Sequence, residues 1–417
     1  MSGKALFVAY HYPPIAVSSG VHRTLAFTRY LADWGWQVTV LTAKHTLYPR
    51  YDLSQNKSIP EQVNVIRAWG KDTARDLSIG GKYLQFMAIP DRYQSWILGG
   101  VLSGLKSIRL NRPNVIISTY PIASAHVIAF LLHKLTGIPW VADFRDPMAQ
   151  EDYPSNPSVK RSFFWIERQA VKYASKLIFV TESAKNYYLE RYQDCDTKKF
   201  CVIENGYDEA VFSRVELLRL GTEVKATSDN LSLNFLHSGV IYPSERDPRF
   251  LFRALQELKQ EGGMEGVAIR FTLRATGHDD LFEKYIREYG LENLISLEAP
   301  IPYEAAISEM FDTDVLLLLQ ANNCDNQVPA KAYEYIRVGK PVLALTSKSG
   351  ETGRLISEIP NSKVAPLDDV IEIKNALRTL IDEKKNGVLS SAPAVENKSY
   401  SRENGAKRLA EILSVFS

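Results

Sequence analysis

The sequence predicts an α/β protein built from two doubly wound domains, and three observations support this fold class. The chain has 417 residues, which is more than one hydrophobic core usually holds and enough for two domains of about 200 residues each. Short apolar runs alternate with longer segments of helical periodicity in both halves. The short runs are apolar on both faces, which is typical of parallel strands covered by helices on each side of the sheet.

In the N-terminal half, seven apolar runs that end in polar residues, Gly or Pro predict parallel strands. These strands are predicted at 5–10, 37–43, 63–69, 114–119, 140–144, 177–181 and 201–204. Helices are predicted at 21–34, 95–109, 122–136, 158–174 and 183–192. The pattern predicts a first domain over residues 1–218.

A polar stretch at 219–230 interrupts this pattern and is the predicted linker. Further strands are predicted at 233–237, 268–275, 294–298, 314–319 and 341–345, with helices at 247–261, 279–289, 303–311, 329–338 and 370–386. They predict a second domain over 231–395, followed by a C-terminal helix at 396–417 that we expect to cross back to the first domain. Ligands of such sheets bind at the carboxyl ends of the strands, so we expect one site in the cleft between the domains.

The charges are unevenly distributed along the chain. Lys and Arg number 50 against 48 Asp and Glu, so the net charge gives no reason to expect a nucleic-acid partner. Residues 1–206 carry 25 basic and 16 acidic side chains, whereas the rest of the chain carries 25 and 32. This asymmetry predicts two domains with different partners.

The cysteines and the apolar segments indicate the compartment. Three cysteines without C-x-x-C spacing favour a reducing environment. The N-terminus runs directly into a predicted strand without a cleavage site, and the longest uncharged stretch is better explained as a strand and a helix than as a membrane span. We therefore expect a cytoplasmic protein.

Two loops, each between a strand and a helix, are candidate anion sites. Gly20 opens the first helix, where free backbone N–H groups favour an anion; the alternative is a plain turn capped by Ser19. Gly239 follows the first strand of the second domain, and Arg246 in the same loop adds a cation suited to a pyrophosphate. The alternative for Arg246 is an ion pair with an adjacent carboxylate. No G-x-G-x-x-G occurs, which argues against a dehydrogenase-type dinucleotide site.

The densest group of candidate residues lies on the helix predicted at 329–338, which ends at Gly339. Glu334, one turn into the helix, can accept hydrogen bonds from two hydroxyls, as carboxylates that hold ribose do. Lys331 lies in the first turn, where a cation is unfavourable beside the helix dipole unless an anion is present. The alternative is a solvated helix face.

Three polar residues of the first domain are candidates for contact with a substrate in the cleft. Asp143 and Arg145 lie at the end of the strand predicted at 140–144, where they either face a ligand or form a structural ion pair. His126 can reach the same edge from its helix, although lone histidines of such helices are more often packed in the core.

We expect no metal site. The D-x-D spelling at 312–314 precedes a strand, and so lies at the wrong edge of a parallel sheet to hold a metal–nucleotide complex. The seven histidines show no ligand spacing. The sequence therefore predicts neither a metal nor another cofactor.

Together these segments resemble the family 4 glycosyltransferases, retaining enzymes that use nucleotide sugars and have the GT-B fold. The similarity covers nearly the whole chain and depends on the order and spacing of the motifs. They are YHYPP, SSGVHRTLAFTRYLADWGWQVTVLT, DFRDP, VIENGYDEAVF, HSGVIYPSERDP and VPAKAYEYIRVGKPVLAL. The resemblance implies two Rossmann-like domains that face each other across a cleft.

The resemblance also implies roles for individual residues. Gly20 would approach the donor diphosphate, and Arg246 stands where the family usually has the Lys of an Arg/Lys pair on the pyrophosphate. Glu334 matches the second Glu of the family's E-x7-E signature, which holds the nucleotide ribose. Thr276 and Gly277 fall where relatives line the nucleobase pocket.

Two positions depart from the family pattern. The first Glu of the signature, which usually touches the donor sugar, is Asn326 here, and the Arg of the phosphate pair is Val240. These departures leave the donor sugar open. Lys331 is expected to supply the missing positive charge.

The resemblance implies transfer of a hexosyl group, with retention, from a UDP-sugar or a GDP-sugar to a saccharide or lipid-linked saccharide in surface-polysaccharide synthesis. No metal ion is expected to be needed if Arg246, Lys331 and helix N-termini stabilise the leaving diphosphate. The basic first domain is expected to rest on an anionic membrane surface through the helix at 95–109 and the residues before it; the alternative is an ordinary amphipathic core helix. The alternative functions are a non-hydrolysing UDP-sugar 2-epimerase and a non-catalytic sugar-nucleotide-binding protein.

Overall fold

The computed structural model describes residues 3–16, 20–151, 153–220, 231–389 and 398–417. The chain divides into two compact units, one of Met1–Gly206 with Ser399–Ser417 and one of Tyr207–Lys398. Most of the predicted linker at 219–230, the predicted boundary at 395 and Ser19 lie outside the described residues. The second unit begins at Tyr207, whereas the sequence pattern predicts a first domain that continues to residue 218.

The described residues contain the following elements in chain order. The strands are β1 (Lys4–Ala9), β2 (Gln37–Ala43), β3 (Asn64–Ala68), β4 (Val115–Thr119), β5 (Trp140–Arg145), β6 (Lys176–Phe179), β7 (Phe200–Val202), β8 (Ser232–Ser238), β9 (Ala268–Arg274), β10 (Ile295–Glu298), β11 (Val315–Leu319), β12 (Val342–Leu345) and β13 (Lys363–Ala365). The helices are α1 (Gly20–Asp33), α2 (Thr73–Asp76), α3 (Ser95–Leu110), α4 (Ala123–Thr136), α5 (Pro157–Tyr173), α6 (Glu182–Arg191), α7 (Glu209–Leu220), α8 (Arg249–Gln260), α9 (Asp279–Glu288), α10 (Tyr303–Asp312), α11 (Ala330–Val338), α12 (Glu351–Ser357), α13 (Val370–Lys385) and α14 (Arg402–Leu413).

Each unit is built on one parallel sheet. The strand order is β3-β2-β1-β4-β5-β6-β7 in the first unit and β10-β9-β8-β11-β12-β13 in the second, and all pairs are parallel. The central strands β4 and β11, of sequence VIIST and VLLLL, are buried at every position, because helices cover both faces of the sheet. The prediction of two doubly wound Rossmann-like sheets is therefore confirmed.

Four elements were absent from the sequence prediction, and their composition explains why. Strand β13 has three residues, and helices α2 and α12 have four and seven, which is too short for a clear periodicity. In α7 only Phe212 and Val215 are buried, while three leucines near its end are exposed. Its apolar residues are therefore not confined to one face.

The C-terminal helix α14 completes the core of the first unit. Its apolar face, with Ala406, Leu409 and Leu413, packs in one cluster with Phe27 and Leu31 of α1. No helix of the described residues is long and apolar enough to cross a membrane.

Helix α3 packs closely against its neighbours because glycines line one face. A Cβ atom on Gly99 would lie 2.1 Å from the backbone oxygen of Trp69, and one on Gly100 would lie 2.6 Å from the Cδ1 atom of Ile128. By contrast, a Cβ atom on Gly405 of α14 would lie 3.5 Å from its neighbours, which is an ordinary contact.

These two environments predict opposite effects of the same substitution. Gly99→Ala should destabilise the protein by about 1–3 kcal/mol because the backbone of Trp69 cannot yield, whereas Gly405→Ala should stabilise it by up to about 1 kcal/mol through helix propensity. Urea unfolding monitored by tryptophan fluorescence measures both changes. Shifts of the same sign for the two variants would contradict this packing.

Candidate functional site

The loop after β8 and the first turn of α11 meet beyond the carboxyl end of the second sheet. Gly239 has φ of 116°, which side chains of L-residues rarely tolerate. A Cβ atom at this position would also lie 3.3 Å from the Nζ atom of Lys331. The glycine therefore lets the backbone pass directly beside the lysine.

Lys331 is held by a histidine that the sequence analysis did not consider. The Nζ atom of Lys331 lies 3.1 Å from Nε2 of His237, and Nδ1 of His237 lies 2.9 Å from the backbone oxygen of Leu317 in the adjacent strand β11. An ammonium can only donate, so Nε2 accepts and Nδ1–H donates to Leu317. The sequence contained one indication of this contact: His237 is a polar residue in an otherwise largely apolar strand, two positions before Gly239.

Burial and charge shift both titrating groups. Burial, and to a smaller extent the charge of Arg246, lower the pKa of Lys331 to about 7 against the opposing effect of Glu334. Burial, and then the charge of Lys331, hold the pKa of His237 well below its ordinary value. The imidazole is therefore neutral at pH 7 and the lysine is close to its titration midpoint.

Arg246 brings a second cation to the same loop. Its Nη1 atom donates to the backbone oxygen of Val240 at 3.0 Å, and its guanidinium lies 5.3 Å from the ring centroid of Tyr242. Within the described part of the chain, neither Arg246 nor Lys331 forms an ion pair. Two cations near one loop without carboxylate partners favour the binding of an anion.

Glu334 lies one turn after Lys331 and is half-buried. The hydroxyl of Tyr303, at the start of α10, donates to Oε1 of Glu334 at 2.6 Å. This hydrogen bond orients the carboxylate, and carboxylate oxygens have further acceptor sites. The structure thus brings Gly239, Lys331 and Glu334, which the sequence analysis singled out, to one edge of the second sheet.

The other donor-side candidates of the second unit have different environments. Thr276 is fully buried and its hydroxyl donates to Asp279 in the first turn of α9, so the side chain has a structural role. A Cβ atom on Gly277 would lie 3.4 Å from Val240, which places this glycine beside the Gly239 loop. Asn326 is exposed in the loop that leads to α11.

Asp143 forms an ion pair with Arg23 and not with Arg145. Arg23 donates from Nε and Nη2 to the two carboxylate oxygens at 3.2 Å each, and Thr119 donates to Oδ2 at 3.0 Å. Arg23 also donates to two backbone oxygens at the end of β7, each at 2.9 Å. Asp143 is only 3% exposed. Its side chain therefore forms a structural ion pair, which was the alternative to a ligand contact.

Arg145 lies at the carboxyl edge of the first sheet with an unusual backbone. It has φ of 61°, and its Nη1 atom lies 3.4 Å from the backbone oxygens of both Gly20 and Tyr120. Its Nε atom has no hydrogen-bond partner among the described residues. Burial, and then Arg145, lower the pKa of His11 to about 4. The structure therefore brings Arg145 and Gly20 together within the first unit.

His126 belongs to the core of the first unit. It is 0% exposed, its Nδ1 atom lies 2.7 Å from the hydroxyl of Ser118, and its ring centroid lies 4.7 Å from that of Phe144. Burial lowers its pKa to about 4. The environment of His126 is therefore that of a histidine packed in the core, which was the alternative to an acceptor contact.

Among the residues that the structure describes, the acidic side chains of the D-x-D segment are engaged in ion pairs rather than in a metal site. In the described part of the chain, no group of three His, Cys, Asp or Glu side chains is placed to hold a metal ion. Asp312 pairs with Arg219, and Asp314 accepts from Lys384 at 2.7 Å, so the D-x-D residues have partners at the amino end of β11.

Comparison with known proteins relates the first unit to one family model and shows the fold of the chain. Residues 20–206 match the model of the glycosyl transferase 4-like domain. The whole chain superposes on HepE of Anabaena, crystallised with UDP, with a TM-score of 0.67, 16% identity, and coverage of 99% of this chain and 100% of that one. No curated protein sequence matches the chain significantly.

Two other solved structures have the same architecture. Sucrose-phosphate synthase of Thermosynechococcus elongatus gives a TM-score of 0.66 at 14% identity, with 99% and 98% of the two chains covered. A putative UDP-N-acetylglucosamine 2-epimerase of Listeria monocytogenes gives 0.58 at 14% identity, with 100% and 97% covered. At such identities the similarity shows the fold, which is GT-B as the sequence predicted.

The enclosed ion pair of Asp143 predicts a loss of stability on its removal. Asp143→Ala leaves the buried Arg23 guanidinium without a carboxylate, which should lower the free energy of unfolding by about 3–5 kcal/mol. The control Asp33→Ala, at an exposed position, should change it by no more than about 0.5 kcal/mol. Urea unfolding tests both. An Asp143→Ala variant as stable as the wild type would reopen a role in substrate contact.

Proposed function

We propose that the protein is a retaining, metal-independent glycosyltransferase, because residues 20–206 match the model of the glycosyl transferase 4-like domain and the chain has the GT-B fold. The donor is a nucleoside-diphosphate hexose, with a UDP-sugar favoured over a GDP-sugar. The acceptor is a saccharide or a lipid-linked saccharide of a cell-surface polysaccharide. UDP is favoured because a structural neighbour, HepE, was crystallised with UDP and with UDP-glucose.

The observation that supports this function most is the pair of cations beside the Gly239 loop. Lys331 has a neutral imidazole as its hydrogen-bond partner, and Arg246 is bound to a backbone oxygen. A diphosphate would supply the missing negative charge. Glu334 would accept hydrogen bonds from the ribose hydroxyls while Tyr303 holds its Oε1 atom.

These residues account for the proposed reaction. The bond between the sugar carbon C1 and the diphosphate oxygen breaks, and the acceptor hydroxyl forms a bond to C1 on the same face. The acceptor proton passes to the departing phosphate oxygen, so no protein base is required. Lys331 and Arg246 would stabilise the negative charge that develops on the leaving diphosphate, which is the role of a metal ion in other enzymes.

Within the first unit, an apolar groove supports the proposal of an acceptor carried by a membrane. A cavity of about 440 Å³ is lined mainly by apolar side chains; they are Leu77, Met87, Ile97, Leu98, Val101 and Leu131. Close by in the sequence, Ile79, Leu84 and Phe86 are 88%, 63% and 64% exposed. Because residues 1–206 are also basic, we propose that this surface rests on the anionic inner face of the cell membrane from the cytoplasm.

The proposed donor site predicts a loss of nucleotide binding on substitution of one carboxylate. Glu334→Gln should weaken UDP binding about 10- to 100-fold because it removes charge-assisted hydrogen bonds. Isothermal titration with UDP and with GDP measures the affinity, and EDTA should leave it unchanged. The control Glu292→Gln, at an exposed position of the same unit, should bind as the wild type does.

Failure of the wild type to bind either nucleotide would refute the proposal. NMR of UDP-N-acetylglucosamine incubated with the protein alone distinguishes a 2-epimerase from a glycosyltransferase, because only a 2-epimerase forms the epimer without an acceptor. Hydrolysis of a donor above background would exclude a non-catalytic binding protein.

The proposed membrane surface predicts selective binding to anionic vesicles. The double variant Ile79→Gln/Phe86→Gln should reduce cosedimentation with phosphatidylglycerol vesicles at least about tenfold, since burial of each apolar side chain contributes about 1.5–3 kcal/mol. The control Leu217→Gln/Leu220→Gln changes two leucines that are equally exposed on α7 and should bind as the wild type does. Equal loss in both variants would contradict a specific surface.

A further inference from the structure

We propose that His237 is a positioning residue that holds the Lys331 ammonium beside Gly239, in the orientation in which it meets the phosphates of the donor. This inference depends on the proposed function and adds a residue to it. His237 itself touches no substrate, because it is 0% exposed.

The imidazole joins the sheet to the first turn of α11. Its Nδ1 atom is fixed by the backbone oxygen of Leu317 at 2.9 Å, and the same oxygen lies 3.3 Å from the hydroxyl of Tyr335, which is also on α11. Its Nε2 atom is thereby directed at the Nζ atom of Lys331, 3.1 Å away. A lysine has four rotatable bonds, and a fixed acceptor at this distance selects one of its orientations before the ligand arrives.

The neutral charge of the His237 imidazole is as important for this role as the position of its Nε2 atom. A carboxylate in this position would neutralise Lys331 and compete with a phosphate for its protons. A neutral imidazole accepts one hydrogen bond and leaves the positive charge of the lysine uncompensated. The other groups that face Lys331 are Arg246 from the loop after β8 and Glu334 on its own helix, whose carboxylate is bound by Tyr303.

This arrangement couples anion binding to a proton. Burial and Arg246 lower the pKa of free Lys331 to about 7, and a bound diphosphate raises it because the opposite charge favours the ammonium. Binding therefore takes up a proton above pH 7. The affinity is highest below pH 7 and falls as the pH rises from 7 towards the pKa of the complex.

Titration calorimetry with UDP-glucose tests the proposal, because both phosphates of this probe are diesters and stay ionised from pH 6 to 8.5. Measurements in buffers of different ionisation enthalpy give the proton uptake. The wild type should take up part of a proton at pH 8 and bind more weakly than at pH 6. Lys331→Met should lose the uptake and most of the affinity.

The His237 variants then separate positioning from packing. His237→Leu should bind UDP-glucose about tenfold more weakly, His237→Gln should recover part of the loss because its amide oxygen accepts from Lys331, and His237→Leu/Lys331→Met should bind no worse than Lys331→Met alone. The control His126→Leu removes another histidine that is 0% exposed. It should lower the melting temperature without changing the affinity or the proton uptake.

The results that overturn the inference are distinct from those that overturn the function. Wild-type affinity and proton uptake in His237→Leu, or additive losses in the double variant, would refute the role of His237 and leave the glycosyltransferase standing. A wild type that binds no nucleotide sugar would refute both. If His237→Leu does not fold, the nitrogen chemical shift of His237 Nε2 decides instead: it should change in Lys331→Met, and an unchanged shift would refute the contact.

Discussion

In the second unit the ammonium of the half-buried Lys331 has a hydrogen-bond partner that carries no charge. Most charges withdrawn from water are compensated by a partner of opposite sign, since an uncompensated one is costly. For Lys331, burial and the nearby Arg246 both disfavour the charged form, and its pKa is lowered accordingly. The proposed donor site, the proton coupling and the role of His237 all depend on this cation and its neutral partner.

The first unit shows the opposite electrostatic arrangement. Asp143 and Arg23 are both buried and bound to each other, and each has further hydrogen bonds to the protein. Such a pair fixes β5 relative to α1 and β7 and leaves no charge for a ligand. Arg145, two residues further along the chain, has long hydrogen bonds to the backbone oxygens of Gly20 and Tyr120.

Much of the fold could be predicted because its strands are apolar on both faces. Short apolar runs such as VIIST and VLLLL are typical of strands in a parallel sheet that is covered by helices on both faces. Helix α7 could not be predicted in the same way because its leucines are exposed. The short strand β13 offered three residues and no periodicity.

The candidate site was predictable where local physics alone singles out a residue. A lysine against the helix dipole at position 331 and a glycine after β8 are such cases. The partners of the two buried histidines were not predictable, since they depend on packing: His126 is bound to Ser118 within the core, whereas His237 contacts a lysine 94 positions away in the sequence. The ion pair of Asp143 with Arg23, 120 positions away, could not be predicted either. From the sequence, the expected ion-pair partner of Asp143 was its neighbour Arg145.

A crystal structure of the protein grown with UDP-glucose will show whether the diphosphate meets Lys331. We expect diphosphate oxygens at about 3 Å from the Nζ atom of Lys331, with Nε2 of His237 still bound to that lysine and the ribose hydroxyls on Glu334. Nucleotide density away from the Gly239 loop, or a Lys331 side chain directed away from the diphosphate, would contradict it.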